Sequence, residues 1–239
     1  MNLILLDQTD FLNEKTALLN DRRFHHIKNI LKSRVGDSLR IGLINGKMGT
    51  GIIESLTGRD VRITVNRIDI PPPEPLPAIL LLALPRPKML RRVIQCITAM
   101  GVKEIHLINS YKVEKSFWGS PWLSDTRLRE NLVLGLEQAQ DTVLPKIHLH
   151  KLFKPFVEDL LPGVSADSLR LVAHPHSENS CPTQQTDPVT LAIGPEGGFT
   201  KYEIDKLMEQ DFAPVKMGQR ILRVETAVPA LLARLFPFC

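Results

Sequence analysis

Cysteine is scarce in this 239-residue chain: Cys96, Cys181 and Cys239 are odd in number, far apart and never spaced as CxxC. That pattern excludes a disulfide framework and a thiolate zinc site, and reads as reduced thiols. No apolar run approaches the ~18 residues of a membrane span, and the first 30 residues lack a signal peptide's charged head and long apolar middle. The expectation is a cytoplasmic protein with no membrane association. GxxxxGK[ST] is missing, which argues against a P-loop nucleotide hydrolase. So is GxGxxG after a strand, the mark of an ordinary dinucleotide fold. His148-x-His150 and His174-x-His176 have no cysteine or carboxylate partner at ligand spacing, so they read as structural or loop histidines and no metal is expected.

What is present is an ordinary globular share of apolar residues, 43%, and a mild net charge of +4, which permits nucleic acid without demanding it. Residues 1–70 read mostly as strand: Leu3 to Leu6, Ser38 to Ile44, Lys47 to Glu54 and the alternating Val61 to Ile68, with Asn45-Gly46 as a tight hairpin signal. One helix, Asp21 to Lys32, carries Phe24, Ile27, Ile30 and Leu31 on one face. The pattern predicts a small β-barrel. Between Arg22 and Arg40 lie Arg22, Arg23, Lys28, Lys32, Arg34 and Arg40 against one acid, Asp37, with His25 and His26 alongside. Such a run is either a solvated helix face or a phosphate-tracking surface, for which Arg22, Arg23, His26, Lys28, Lys32 and Arg34 are the candidates. Five prolines in Pro71 to Pro77 form a stiff linker between this domain and the one that occupies 78–239.

After the linker, strands and helices alternate: strand Ala78 to Leu84, helix Lys88 to Met100 capped by Gly101, strand Glu104 to Ile108, helix Asp125 to Gln140, strand Lys146 to His150, helix Pro155 to Leu161, and strand Leu169 to Ala173. This is βαβ order and predicts a parallel sheet. Arg86, Lys88, Arg91 and Arg92 on the first of these helices are either its solvated face or further phosphate contacts. A strand then ends at Ile193 and runs into Gly194-Pro195-Glu196-Gly197-Gly198. Thr200, with Glu203 three residues on, reads as a capping box opening a helix. Glycines remove Cβ atoms where a ligand touches backbone, although a plain tight turn uses them equally. The chain closes with strand Val215 to Met217, the segment MGQRILRVETA and a helix from Thr226 to Leu235, in which Pro229 would sit in the first turn.

LAIGPEGGFT, MGQRILRVETA and GVKEIHLI together resemble the 16S ribosomal RNA uridine-N3 methyltransferases, the small-subunit methyltransferase E family of the SPOUT class. His26 to Lys32, Glu137-Gln138 with Pro145, and His174-Pro175 match further family segments. Asp141 stands where many members have arginine, and Val224 where threonine is usual. The resemblance implies a PUA-like barrel before an α/β domain with a parallel sheet and a C-terminal trefoil knot, a homodimer, S-adenosylmethionine as cofactor, and 16S RNA or the small ribosomal subunit as partner. It implies that Val172, Ala173 and His174, then Ile193, Gly194, Glu196, Gly197 and Gly198, then Met217, Gly218, Ile221, Leu222, Arg223, Glu225 and Thr226 surround the cofactor. Arg223, Glu225 and Glu196 become candidate catalytic residues, and Arg86 joins the RNA-binding set. Arg223 and Glu225 read equally well as an ion pair pinning the last loop. A non-catalytic RNA-binding assembly protein and a ribose 2′-O methyltransferase are the alternative functions.

Overall fold

The computed structural model describes residues 3–236, which divide into two compact units. Cys239 lies outside them; Cys96 and Cys181 are free thiols. The first unit comprises the residues through Glu74 together with Val133–Leu144. It is therefore not the N-terminal stretch alone, as the proline run suggested, because a segment from much later in the chain packs into it.

Five strands, β1 (Ile4–Leu6), β2 (Thr16–Leu19), β3 (Ser38–Leu43), β4 (Met48–Leu56) and β5 (Val61–Ile70), form one sheet in the order β1-β3-β4-β5-β2. Ile4 and Leu6 of one edge strand and Ala17 and Leu19 of the other share a single core with Ile41, Ile53 and Ile63, so the sheet curls until its edges meet over common apolar residues. Shifts of register between β4 and β5 supply the bend. Gly49 sits at one of them because a Cβ there would lie 1.8 Å from the Arg67 carbonyl oxygen. The Asn45-Gly46 hairpin forms as expected, with Asn45 at φ +59° and the Gly46 N–H donating to the Leu43 carbonyl at 2.8 Å.

The helix expected over Asp21 to Lys32 is one turn of α-helix, α1 (Arg22–His25), followed by a π turn, His26–Ile30. The wider turn rotates later residues off the buried face. Phe24 and Ile27 are buried, whereas Ile30 is 69% exposed and Leu31 45% exposed, which corrects the four-residue face read from the sequence.

The second unit, Pro75–Leu132 and the residues from Pro145 on, contains β6 (Leu76–Ala83), α2 (Pro87–Ala99), β7 (Val102–Ile108), the start of α3 (Asp125–Ala139), β8 (Lys146–His150), α4 (Phe153–Pro155), a π turn over Phe156–Leu160, α5 (Leu161–Val164), β9 (Leu169–Ala173), β10 (Val189–Ile193), α6 (Lys201–Met208), β11 (Ala213–Val215) and α7 (Val224–Leu235). The six strands are all parallel, in the order β11-β9-β10-β6-β7-β8. β10 enters between β9 and β6, two strands already laid down, and β11 returns to the far side of β9. The C-terminal segment thus doubles back through the sheet, the route that the implied knot requires. Gly101, at φ +90°, ends α2 as a left-handed cap. Among the described residues, no helix is long and apolar enough to cross a membrane.

The inserted segment explains two motif positions. Glu137 is fully buried in the first unit and its Oε2 accepts from Arg22 Nη1 at 2.7 Å. Asp141, 3% exposed, caps its own turn by accepting from the Thr142 and Val143 N–H groups at 2.6 and 3.0 Å. Its carboxylate thereby holds the turn that follows α3.

Burial raises the Glu137 pKa above the ordinary 4.5, and the Arg22 guanidinium only partly opposes it. A raised carboxyl favours the folded state fully below 4.5 and loses that contribution as pH rises through the folded value. Glu137→Gln cannot ionise. Its melting temperature relative to wild type is therefore expected to improve from acid to neutral pH; a pH-independent difference in thermal melts would contradict this.

Candidate functional site

The loops after β9, β10 and β11 emerge from neighbouring strands beside the point where strand order reverses, the place where open parallel sheets bind ligands. The loop after β9 is zipped to β11. His174 N–H donates to the Val215 carbonyl at 2.9 Å, Ser177 Oγ donates to the Pro214 carbonyl at 2.7 Å, and Cys181 N–H donates to the Lys216 carbonyl at 2.8 Å. Between them lies a slot with about 50 Å³ of cavity volume, walled by Ala173, His174, Pro175, Val215, Met217, Gly218, Leu222, Ala227 and Leu231, with Lys216 and Arg220 also lining it. Burial, with His176 beside it, pushes the His174 imidazole below its ordinary value, toward the neutral form.

The glycine turn is built from its own necessities. Gly198 N–H donates to the Pro195 carbonyl at 2.7 Å, and Gly198 takes φ +68°. A Cβ on Gly194 would lie 2.8 Å from the Phe199 nitrogen. Those two glycines are required by the turn itself. Gly197 and Gly218 differ: a Cβ on the first would lie 2.9 Å from Lys112 Cδ, and on the second would meet nothing within 4 Å. Backbone bare for a ligand is thus best represented by Gly218. The capping box forms as read, with Thr200 N–H and Oγ1 both donating to Glu203 Oε2 at 2.8 and 2.9 Å. Glu203 Oε1 also accepts from Tyr111 N–H at 2.7 Å, and Lys112 Nζ donates to the Gly197 carbonyl at 2.6 Å. The loop after β7 therefore clamps the glycine turn from the side. No sequence signal announced that clamp, because it joins residues 85 or more positions apart.

Glu196 points away from the slot into a second, open cleft with Arg86, Lys88, Met89, Ile221, Leu222, Arg223 and Glu225; Leu222 borders both. The three candidate catalytic side chains thus share one cleft. Glu196 Oε1 accepts from the Arg86 N–H at 3.2 Å. Among the described residues, neither Arg223 nor Glu225 makes a side-chain hydrogen bond or ion pair, so the reading of the two as a pinning ion pair is corrected. The strands bury Val172 and Ile193, at 0% and 3% exposure, so their side chains face the core rather than a ligand.

Helix α7 begins earlier than expected. The Thr226 and Ala227 N–H groups both donate to the Arg223 carbonyl, at 2.9 and 2.7 Å, which makes Arg223 the cap and places Thr226 inside the first turn. Pro229 consequently lies within the helix and cannot donate to the Glu225 carbonyl. Buried Val224 is the first helical residue.

The basic run of the first unit is largely structural. Arg23 is held by Asp10, by Asp21 and by the Leu5 carbonyl, Arg22 by buried Glu137, and Arg40 by Gln140. Lys28 donates to the Thr57 carbonyl at 3.1 Å and lies over the Phe24 ring; His26 is half-buried. Lys32 and Arg34 are exposed, as is Arg86 of the second unit. Arg91 sits over the Trp122 ring. His148 and His150 are not isolated either: Glu104 and His106 of β7 stand beside them.

A curled barrel unit together with a parallel sheet whose doubled-back C-terminal loops enclose an apolar slot is the build of an RNA-modifying enzyme of the α/β class. The chain belongs to the RNA methyltransferase domain family, whose model matches residues 72–236, and a model for the RNA methyltransferase PUA domain matches residues 19–66. It is 29% identical to the ribosomal RNA small subunit methyltransferase E of Treponema pallidum, over 98% of this chain and 90% of the relative. It is 27% identical to methyltransferase E 1 of Borreliella burgdorferi, over 96% and 95%. Its fold matches a methyltransferase from Legionella pneumophila, solved with bound S-adenosylmethionine, at TM-score 0.77 and 21% identity over 97% and 95% of the two chains. A ribosomal RNA small subunit methyltransferase E from Neisseria gonorrhoeae, also bound to S-adenosylmethionine, gives 0.75 and 20% over 98% and 95%.

Proposed function

We propose that this protein transfers a methyl group from S-adenosylmethionine to N3 of a uridine in 16S ribosomal RNA, acting in the cytoplasm as a homodimer on the small subunit or its RNA. The observation that carries this reading is the pair of adjoining spaces with Leu222 in common: an apolar slot on one side, and an open cleft holding the unengaged side chains of Arg223 and Glu225 on the other.

The slot suits an adenosyl group. Val215, Met217, Leu222, Ala227 and Leu231 offer apolar walls for a flat base, and bare Gly218 leaves backbone within reach. When bound, S-adenosylmethionine supplies an electrophilic methyl on a sulfonium. The chain's own residues supply the rest. Uracil N3–H is weakly acidic, so a methyl acceptor forms only if the proton is removed and the resulting charge, spread over the flanking carbonyl oxygens, is stabilised. The Arg223 guanidinium can donate to one of those oxygens. The Glu225 carboxylate, free of any protein donor, can take the N3 proton. Glu196, held by the Arg86 N–H, lines the same cleft and adds negative charge beside the uracil site.

Mass mapping of modified nucleosides in 16S RNA from a strain lacking the gene tests the reading. Loss of N3-methyluridine is expected; its retention, or loss of a 2′-O-methyl nucleoside instead, would overturn it. Binding should also weaken with salt, as phosphate contacts dictate. Replacing both Lys32 and Arg34 with Ala is expected to shallow the slope of log affinity against log salt by about 1–2, read in a filter-binding titration. An unchanged slope would remove these two residues from the RNA surface.

A further inference from the structure

Strands β7 and β8 run parallel in a register that sets Glu104 opposite Lys146 and His106 opposite His148. Alternation of side chains therefore puts Glu104, His106, His148 and His150 on one face at the β8 edge of the sheet. His106 Nε2 lies 3.2 Å from Glu104 Oε1, and His148 Nε2 lies 3.9 Å from the same oxygen. One ligand atom from each of the three residues falls within 4.8 Å of the other two.

We propose that Glu104, His106 and His148 bind one divalent transition-metal ion, zinc foremost, at this edge of the parallel sheet. Two imidazoles and a carboxylate are a zinc donor set, and bonds of ~2.0–2.2 Å place neighbouring tetrahedral ligands roughly 3.3–3.5 Å apart. The two observed separations bracket that spacing. The His148 ring stacks on that of His106 at 18° with centroids 4.6 Å apart, so closure requires this exposed ring to rotate until its lone pair meets the same ion. The fourth position opens to solvent: the Glu104 and His148 side chains are 41% and 43% exposed, whereas that of His106 is 3% exposed. His150 completes the arrangement, with its Nε2 2.9 Å from His106 Nδ1 and its ring 4.1 Å from that of Phe156. A metal-bound imidazole normally gives its other N–H to such an outer partner. Neutral His106 has one N–H for two neighbours. When Nδ1–H donates to His150, the Nε2 lone pair faces the Glu104 carboxylate, an arrangement that a cation between them stabilises.

The test uses the full chain stripped with a chelator. Calorimetric titration with zinc chloride is expected to give one ion per chain, and cobalt(II) a tetrahedral visible spectrum. His148→Ala removes an exposed ligand and leaves the core intact; it should weaken zinc binding by at least about tenfold and abolish the rise in melting temperature that zinc gives the wild type. His176→Ala, at the other exposed histidine pair, should leave both unchanged. Equal zinc affinity in wild type and His148→Ala, or no binding to the wild type, would overturn the site. Because none of these readouts involves methyl transfer, failure here leaves the reading of the methyltransferase cleft untouched.

Discussion

Arg223→Ala is expected to slow methyl transfer by about 10²-fold or more at saturating RNA, with affinity for S-adenosylmethionine changed far less. The guanidinium borders the open cleft, has no protein partner among the described residues, and belongs to the residue that caps α7 through its carbonyl rather than its side chain. Truncation therefore removes a donor without orphaning a buried group, and folding should be unaffected. Single-turnover transfer of a labelled methyl group measures the first quantity and calorimetry the second. A rate within about threefold of wild type would leave Arg223 with no part in stabilising the charge that develops on the uracil. Glu225→Gln should behave in parallel, with the deficit shrinking as pH rises and the uracil ionises unaided.

Glu203→Ala is expected to destabilise the second unit by about 2–4 kcal/mol. Both carboxylate oxygens are used: one receives the Thr200 N–H and hydroxyl, the other the Tyr111 N–H, and the side chain is 2% exposed. Truncation removes a buried acceptor shared by part-buried donors on two loops. Glu203→Gln is informative because an amide can accept at one end only, so it should recover part of the loss and no more. Chemical denaturation gives the stability, and RNA methylation at a temperature where the variant remains folded shows whether loosening the glycine turn also disturbs Glu196. If Glu203→Gln equalled wild type, the second acceptor would have no structural weight.

Much of the architecture was legible because it is carried by local pattern. The apolar-rich Leu169 to Ala173 gave β9 to the residue, Ile193 marked the end of β10, Asn45-Gly46 marked a hairpin, and Thr200 with Glu203 marked a helix start. β2 was missed because Thr16–Leu19 is too short for its alternation to show. The start of α7 was misplaced since Thr226 looks like a cap, whereas hydrogen bonding to the Arg223 carbonyl decides the matter. Long-range pairing was illegible throughout. Nothing near Arg23 in sequence reveals that Asp10 neutralises it, and only the register of β7 on β8 brings Glu104 to His148. The cofactor loops could be named by motif. Their division into a slot and a separate cleft meeting at Leu222 depends on packing that motifs do not encode.

The membership of Val133–Leu144 in the first unit has a consequence for synthesis. As the chain leaves the ribosome, all five strands of that unit appear long before the segment that completes it, and until then Leu3 and Leu5 lack Leu136, while the Asn45 turn lacks the Thr142 and Leu144 backbone it will hold. The unit begun first still finishes first, but not on its own: its maturation waits on translation of Pro75–Leu132, which belongs to the other. A nascent chain halted before Leu144 should expose its N-terminal strands to protease, and one extended beyond that point should not.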